Sequence, residues 1–392
     1  MGWVQRPTQG RAKTAYYDLF PKKGSDGSAI FFIFTPTPKK SLTMEAEKIR
    51  VGLCSFGLSG RIFHSPFIDG HSGFELAKVW ERSKDLAKEA YPQVEVVRQF
   101  EQLLEDPTIE LIIVNTPDHT HYEYTKRALQ SGKHVLVEKP FTLTTREGIE
   151  LTGLARKHRK LLSVFQNRRW DGDFMTVKRV IEQGLLGRLV EFEAHFDRYR
   201  TQVDPNKWRE QPGPHTGNIY DLGAHMIDQA LVLFGWPESV AADLRIQRSA
   251  GQVNDYFHIR LQHAHVVVTV KGGYLVREPG PRYILHGTDG SFIKYGIDPQ
   301  EAALRRGERP DQPRWGEEAE KYWGTLNTHI QNLHYRGKIE TLAGNYMGFF
   351  DNLYQVLRNG KKPAVPGEEG LNVIRIIEAA RESSAGNRVI NI

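Results

Sequence analysis

From Lys48 onward, short apolar runs alternate with stretches of helical period, separated by brief turns. The runs IRVGLC (49–54), FELAKVW (74–80), VEVV (94–97), IELIIVNT (109–116) and HVLVEK (134–139) predict buried strands. Between them lie helical patterns from about Gly60, over SKDLAKEAY (83–91), over QFEQLLED (99–106) and over DHTHYEYTKRALQSG (118–132). Asp118 is the expected N-cap of the last of these and Gly132 its stop. A helix at roughly 144–158 and a strand at LLSVFQN (161–167) extend the series. Strand–helix alternation with short connections implies parallel strands joined by right-handed crossovers, an α/β doubly wound sheet.

Beyond Trp170 the rhythm changes. RLVEFEAHFDRYR (188–200) alternates with period two, and a helix spans 218–234. Strand-like runs at 239–247, 256–262, 265–271, 283–286 and 292–295 then follow without intervening helices. This pattern predicts an α+β domain on a mostly antiparallel open sheet. EGLNVIRIIEAARESS (369–384) is a final amphipathic helix, placed to pack back on the first domain. The expected division is an N-terminal extension over 1–43, a first domain over 44–167 and a second over 168–392.

Composition narrows the class. Hydrophobic residues at 39% and charged residues at 26% fit a globular protein. AIFFIF (29–34) is too short for a membrane span, so no membrane partner is expected. A lone cysteine, Cys54, excludes an internal disulfide framework and fits a reducing, cytoplasmic location. No Cys/His cluster has zinc-ligand spacing, so no metal is expected. The net charge of +6 is local: residues 1–43 hold seven Lys or Arg against Asp18 and Asp26, leaving +1 for 44–392. A basic tail on a near-neutral body is no nucleic-acid footprint. The tail itself lacks periodicity and reads as disordered, either a targeting segment or a consequence of start-site choice before Met44.

SFGLSG (55–60) stands between the first strand and first helix. It follows the dinucleotide fingerprint G-x-G-x-x-G with Ser55 in place of the first glycine. Gly57 would let backbone approach a pyrophosphate, and Gly60 would let the helix pack closely on the strand. Ser55 is compatible with that turn if its φ stays negative. Ser55, Gly57, Ser59 and Gly60 are therefore candidate cofactor contacts. Glu81, at the end of the second strand, is placed to grip an adenine ribose and would repel a 2′-phosphate, which favours NAD. Arg82 and Ser83 beside it supply the cation and hydroxyl that a 2′-phosphate needs, which favours NADP. NADP is the preferred reading, with NAD or dual use as the alternative.

The sheet edge and the helix at 218–234 also carry residue types suited to proton transfer and charge stabilisation. His225 suits acid/base work, and Asp221 four residues earlier shares its helix face, where a carboxylate can orient the imidazole. Lys139 ends the fifth strand at the carboxyl edge of the sheet, where such folds bind ligands, and Pro140 constrains the backbone there. Each alone has a structural reading: a helix-terminal acid, a satisfied buried histidine, a solvated lysine.

Taken together, SFGLSG, NTPDHTHYEYTKRALQSGKHVLVEKP (115–140) and GNIYDLGAHMIDQALVLFG (217–235) resemble the glucose–fructose oxidoreductase/inositol dehydrogenase (Gfo/Idh/MocA) family. The resemblance covers nearly everything from residue 48. VFQNRRWDGDF, HFDRYR and GLNVIRIIEAARESS look like its branch of NADP-dependent scyllo-inositol 2-dehydrogenases. It implies hydride transfer between a nicotinamide cofactor and a sugar or cyclitol carbon, with Lys139, Asp221 and His225 catalytic. It adds Thr116, Pro117, His121, Glu138 and Lys139 as candidate cofactor contacts, the alternatives being an ordinary strand-to-helix turn for Thr116 and Pro117 and a solvent-facing His121. Candidate substrate contacts are Arg168, Arg169, Trp170, Asp197 and Tyr199 beside Asp221 and His225; packing roles at the domain junction are the alternative for the first three. The family's open sheet commonly supports homodimers or homotetramers. Another sugar as substrate, or a non-catalytic dinucleotide-binding regulator, are the rival expectations.

Overall fold

The computed structural model describes residues 47–204, 206, 210, 211, 213 and 217–392. The expectations made for residues 1–43 lie outside the described residues.

The uninterrupted apolar runs form the centre of a six-stranded parallel sheet. Its strands are β1 (Ile49–Leu53), β2 (Phe74–Trp80), β3 (Glu95–Val97), β4 (Leu111–Val114), β5 (His134–Val137) and β6 (Leu162–Val164), in spatial order β3-β2-β1-β4-β5-β6. The order reverses between β1 and β4, which opens a crevice at their carboxyl ends. Every residue of β4 is buried, as expected for a central strand covered on both faces. Helical connections α1 (Ser65–Gly70), α2 (Leu86–Ala90), α3 (Glu101–Leu104), α4 (His121–Gln130) and α5 (Thr145–His158) carry the crossovers. Thr144 and Glu147 cap α5 reciprocally, satisfying backbone amides at its start. Asp118 opens a short 3₁₀ turn, Asp118–Thr120, and Thr120 is the residue that precedes α4.

Helix α6 (Gly172–Glu182) leads into a nine-stranded sheet. Its strands are β7 (Leu189–His195), β8 (Ser239–Arg245), β9 (Tyr256–Gln262), β10 (Val267–Gly273), β11 (Tyr283–Gly287), β12 (Gly290–Lys294), β13 (Gly324–Ile330), β14 (Leu333–Ile339) and β15 (Ile390–Asn391). They lie in the order β14-β13-β12-β11-β7-β10-β9-β8-β15. β7 and β10 run parallel and the other neighbours antiparallel. The regular ladder of β7 ends at His195, earlier than the period-two pattern implies. From there the backbone keeps single bonds to the end of β10 and the residue after it, such as Arg198 N to the Gly273 carbonyl at 2.8 Å and Arg200 N to the Tyr274 carbonyl at 2.7 Å. A long helix, α7 (Ala224–Phe234), follows a wide π-type turn at Ile219–Gly223, and α8 (Gln300–Arg305) follows β12.

The chain finally returns to the first sheet. In α9 (Met347–Asn359), Phe350 stacks on Phe67 with ring centroids 5.2 Å apart, and Arg358 grips the Glu110 carboxylate at 2.6 and 2.8 Å. Ser163 Oγ donates to the Val365 carbonyl at 2.8 Å, and α10 (Gly367–Gly386) brings Glu378 onto the amide of Thr145 at 2.8 Å.

One buried ion pair ties three of these parts together. Arg169, in the turn after β6, donates to both oxygens of Asp228 on α7 at 2.7 and 2.5 Å. Its third contact is the Ala364 carbonyl at 2.7 Å, and Glu369 of α10 lies 2.6 Å away. Asp228 is almost wholly buried. Removing the guanidinium would strand that charge without water, so Arg169→Met should lower unfolding free energy in urea by about 3–5 kcal/mol. Arg169→Met/Asp228→Leu should recover most of the loss, and a single-variant loss below ~1 kcal/mol would contradict this role.

Candidate active site

The glycine turn lies at the β1/β4 crevice. Ser55 is not among the residues with left-handed φ, which is why a side chain is tolerated there. Gly60 has no such latitude: a Cβ on it would stand 2.2 Å from the Ser55 carbonyl oxygen. Outside Gly57, by contrast, a Cβ would meet only Ser55 Oγ, at 3.3 Å. Asn115, just after β4, donates to the Ser55 carbonyl at 2.8 Å and to Ser59 Oγ at 3.3 Å, lacing the turn to the neighbouring strand end. A continuous helical segment, 58–70, begins beside the exposed Gly57 and Leu58. Its free amides and open backbone suit the phosphates of a dinucleotide, so the residues present fit that group.

At the end of β2 the candidates separate. One carboxylate oxygen of Glu81 accepts from the Ala87 amide at 2.8 Å, committing the buried side chain to the first turn of α2. Arg82 and Ser83 are exposed. Arg98 is engaged with Asp85 at 2.7 and 2.9 Å and with the Glu81 carbonyl, while Arg82 is exposed at the strand end.

The ends of β4 and β5 form the next wall. Thr116 Oγ1 lies 2.6 Å from Thr120 Oγ1, and Pro117 is exposed. His121 is buried rather than facing solvent. Its ring spans two main-chain carbonyls, Nδ1 2.8 Å from Pro140 O and Nε2 3.0 Å from Thr116 O, so it staples the two strand ends together. Glu138 is likewise occupied: Oε1 meets His64 Nε2 at 2.9 Å and Oε2 accepts from the Lys139 amide at 3.2 Å. Burial pushes the Glu138 carboxyl up, but His64 and Lys139 outweigh it and hold the pKa below the usual carboxylate value. The Lys139–Pro140 peptide is cis.

Lys139 crosses to the second domain. Its Nζ donates to Asp221 Oδ1 at 2.7 Å and to the Asp221 carbonyl at 2.9 Å. The π-type turn at Ile219–Gly223 widens the helix and leaves that carbonyl able to accept from outside, a common use of such turns. The Asp221 carboxylate therefore grips the lysine. The imidazole of His225 is oriented by another residue: Nδ1 lies 3.0 Å from Oε1 of Gln166, just past β6. His225 is almost wholly buried, and burial, then the Lys139 and Arg168 charges, push its pKa well below the ordinary value despite the pull of Asp221.

The remaining candidates divide. Arg168 is buried behind His225, donating to Asp171 Oδ2 at 3.1 Å and to Glu301, with its guanidinium 5.1 Å over the Phe196 ring. Arg169 is the ion-pair tie already described. Trp170 packs edge-on against Phe349 at 5.3 Å, and its carbonyl accepts from the Asn345 amide. These two serve the domain junction. Asp197 lies 3.6 Å from His195 Nδ1, and Tyr199 is exposed beneath Arg277. Neither is hydrogen-bonded to Lys139, Asp221 or His225. Arg198 between them, not singled out from sequence, couples to Asp221: burial and the Arg200 charge lower its pKa while Asp221 pulls the other way. Gln166 was missed as well, since only tertiary packing brings it to His225.

Comparison with known proteins agrees with this geometry. The family models described as the oxidoreductase family's NAD-binding Rossmann fold and its C-terminal alpha/beta domain match residues 49–166 and 178–392. A scyllo-inositol 2-dehydrogenase (NADP(+)) of Bacillus subtilis is 42% identical, the match covering 88% of this chain and 96% of that protein. D-glucoside 3-dehydrogenase of Escherichia coli is 27% identical over 54% of this chain and 63% of its own. A crystal structure of an oxidoreductase from Bacteroides fragilis superposes with a TM-score of 0.82 at 52% identity, covering 88% of this chain and all of the other. With a Rossmann half that carries the glycine turn and Lys139, and a second half that carries Asp221 and His225, the chain belongs to the Gfo/Idh/MocA oxidoreductase family and is an NAD(P)-dependent dehydrogenase.

Proposed function

We propose that this protein is an NADP-dependent dehydrogenase that interconverts a secondary alcohol of a cyclitol, of the scyllo-inositol type, and the matching ketone. The observation that carries the reading is the 2.7 Å contact of Lys139 with Asp221 across the two halves, one helical turn from His225. The kinship with an inositol dehydrogenase supports the substrate class.

In the oxidation direction the neutral His225 ring removes the hydroxyl proton. Lys139 donates a hydrogen bond to the same oxygen and stabilises its alkoxide character as the proton leaves. Asp221 holds the ammonium in place and balances its charge. A nicotinamide dinucleotide, when bound along the glycine turn, supplies the acceptor for the carbinol hydride. Exposed Arg82 and Ser83, with Glu81 drawn away to α2, support the 2′-phosphorylated cofactor.

Lys139→Ala and His225→Ala should each reduce kcat by about 10²-fold or more while leaving the Kd for NADPH within about tenfold. Unchanged turnover in both would remove them from the chemistry. Arg82→Ala should weaken NADPH at least about tenfold more than NADH, because it removes a charge-assisted contact made only to the 2′-phosphate. Equal weakening of both would reverse the cofactor assignment. A screen of cyclitols, glycosides and aldoses, read by absorbance of the reduced nicotinamide, separates the inositol reading from a sugar dehydrogenase. Cofactor binding with no turnover on any of them would favour a regulator.

A further inference from the structure

The proposed chemistry asks one ring nitrogen of His225 to be bare and the other to carry a proton. The partner of Nδ1 decides which. Asp221, the carboxylate nearest in sequence, is committed to Lys139 at 2.7 Å. Gln166 takes its place, with Oε1 3.0 Å from Nδ1. An amide carbonyl oxygen has no proton to give, so Nδ1 must be the donor and the proton sits there.

Gln166 is itself firmly held. It is 2% exposed, its main-chain amide donates to the Val164 carbonyl at 2.8 Å and its main-chain carbonyl accepts from the Arg169 amide at 3.2 Å. The groups acting on the imidazole from the elements around it are Lys139 after β5, Arg168 after β6, Asp221 in the π-type turn and Arg282 before β11. Three are cations and one is an anion. A carboxylate in place of Gln166 would add the negative charge that favours an imidazolium; the neutral amide fixes the tautomer and adds none.

We propose that Gln166 is a positioning residue for the reaction: it accepts the hydrogen bond of Nδ1–H and thereby keeps His225 a neutral base with Nε2 as its bare nitrogen. This rests on the dehydrogenase chemistry proposed above for His225. Its balance is simple: the hydroxyl proton of the alcohol passes to Nε2 on oxidation and returns from Nε2 to the oxygen on reduction, while the other proton stays on Nδ1, donated in a hydrogen bond to Gln166 Oε1.

The test reads the ring itself. Another buried acid, Asp171, is pushed up to about 6 by burial and touches Arg168, so a kinetic pH profile alone would mix two titrations. Nitrogen-15 spectra of the full-length protein labelled at histidine, assigned with His225→Ala, should show Nδ1 protonated and Nε2 unprotonated at neutral pH. Gln166→Glu should raise the His225 titration by about one pH unit or more. Its alcohol oxidation should slow progressively as pH falls through that raised titration, because more of the ring is then protonated, while ketone reduction slows less. Gln166→Leu should mix the two tautomers and cut kcat about tenfold with KM and the Kd for NADP little changed. A proton found on Nε2 in the wild-type protein would overturn the assignment. So would an unmoved His225 titration in folded Gln166→Glu. If no alcohol is turned over, the proposed function fails, while the spectra still decide the Gln166 contact.

Discussion

The arrangement depends on a single charge contact across two domains. Lys139 leaves the carboxyl edge of one sheet and closes on Asp221 of the other domain, bonding both its carboxylate and its carbonyl. The side chains are 12% and 21% exposed, so the pair is shielded enough to be stronger than a surface salt bridge yet open enough to meet a ligand. Much of the surrounding structure holds the ends of this contact still. Glu138 fixes the main chain at Lys139 and is fixed in turn by buried His64, whose ring lies 4.4 Å from that of Phe165. His121 locks the Pro140 carbonyl against the end of β4. On the far side, Arg169 anchors the helix that carries His225 through Asp228.

Electrostatics then assign different duties to neighbouring groups. Burial, and then the excess of cations over anions around it, drives the His225 imidazole toward the neutral form. Lys139 keeps the Asp221 carboxylate as its partner at 2.7 Å. Placing a neutral base beside a fixed ammonium suits a reaction in which proton and hydride leave one carbinol from different atoms. The Rossmann half contributes both Lys139 and Gln166 to the contacts with Asp221 and His225.

Features written in local pattern were legible from sequence; those made by packing were not. The central strands were readable because an uninterrupted apolar run such as that at β4 has few alternatives once turns bound it. Lys139, Asp221 and His225 were readable because their motifs place them at strand and helix ends. Their pairing was not: helical spacing suggests Asp221 for His225, whereas the π-type turn and the reach of Lys139 reassign it. Glu81 looked like a ribose ligand by position, but a nearby helix start competes for its carboxylate. The hairpin of β13 and β14 went unread because β14 is short of buried apolar residues: Leu333, Tyr335 and Ile339 alternate with His334, Arg336 and Lys338, yet the strand is largely exposed, Leu333 by 74%. Helix α9 does carry a signal in its sequence, Phe349, Phe350 and Leu353 at helical spacing.

Diffraction from a ternary crystal with NADP and scyllo-inositol bears most directly on the convergence of the two halves. The expected result is one ring hydroxyl oxygen within hydrogen-bond distance of both Lys139 Nζ and His225 Nε2, its carbon turned to the nicotinamide. A polyol seated away from both nitrogens, with the Lys139–Asp221 contact undisturbed and no oxygen shared between them, would contradict it.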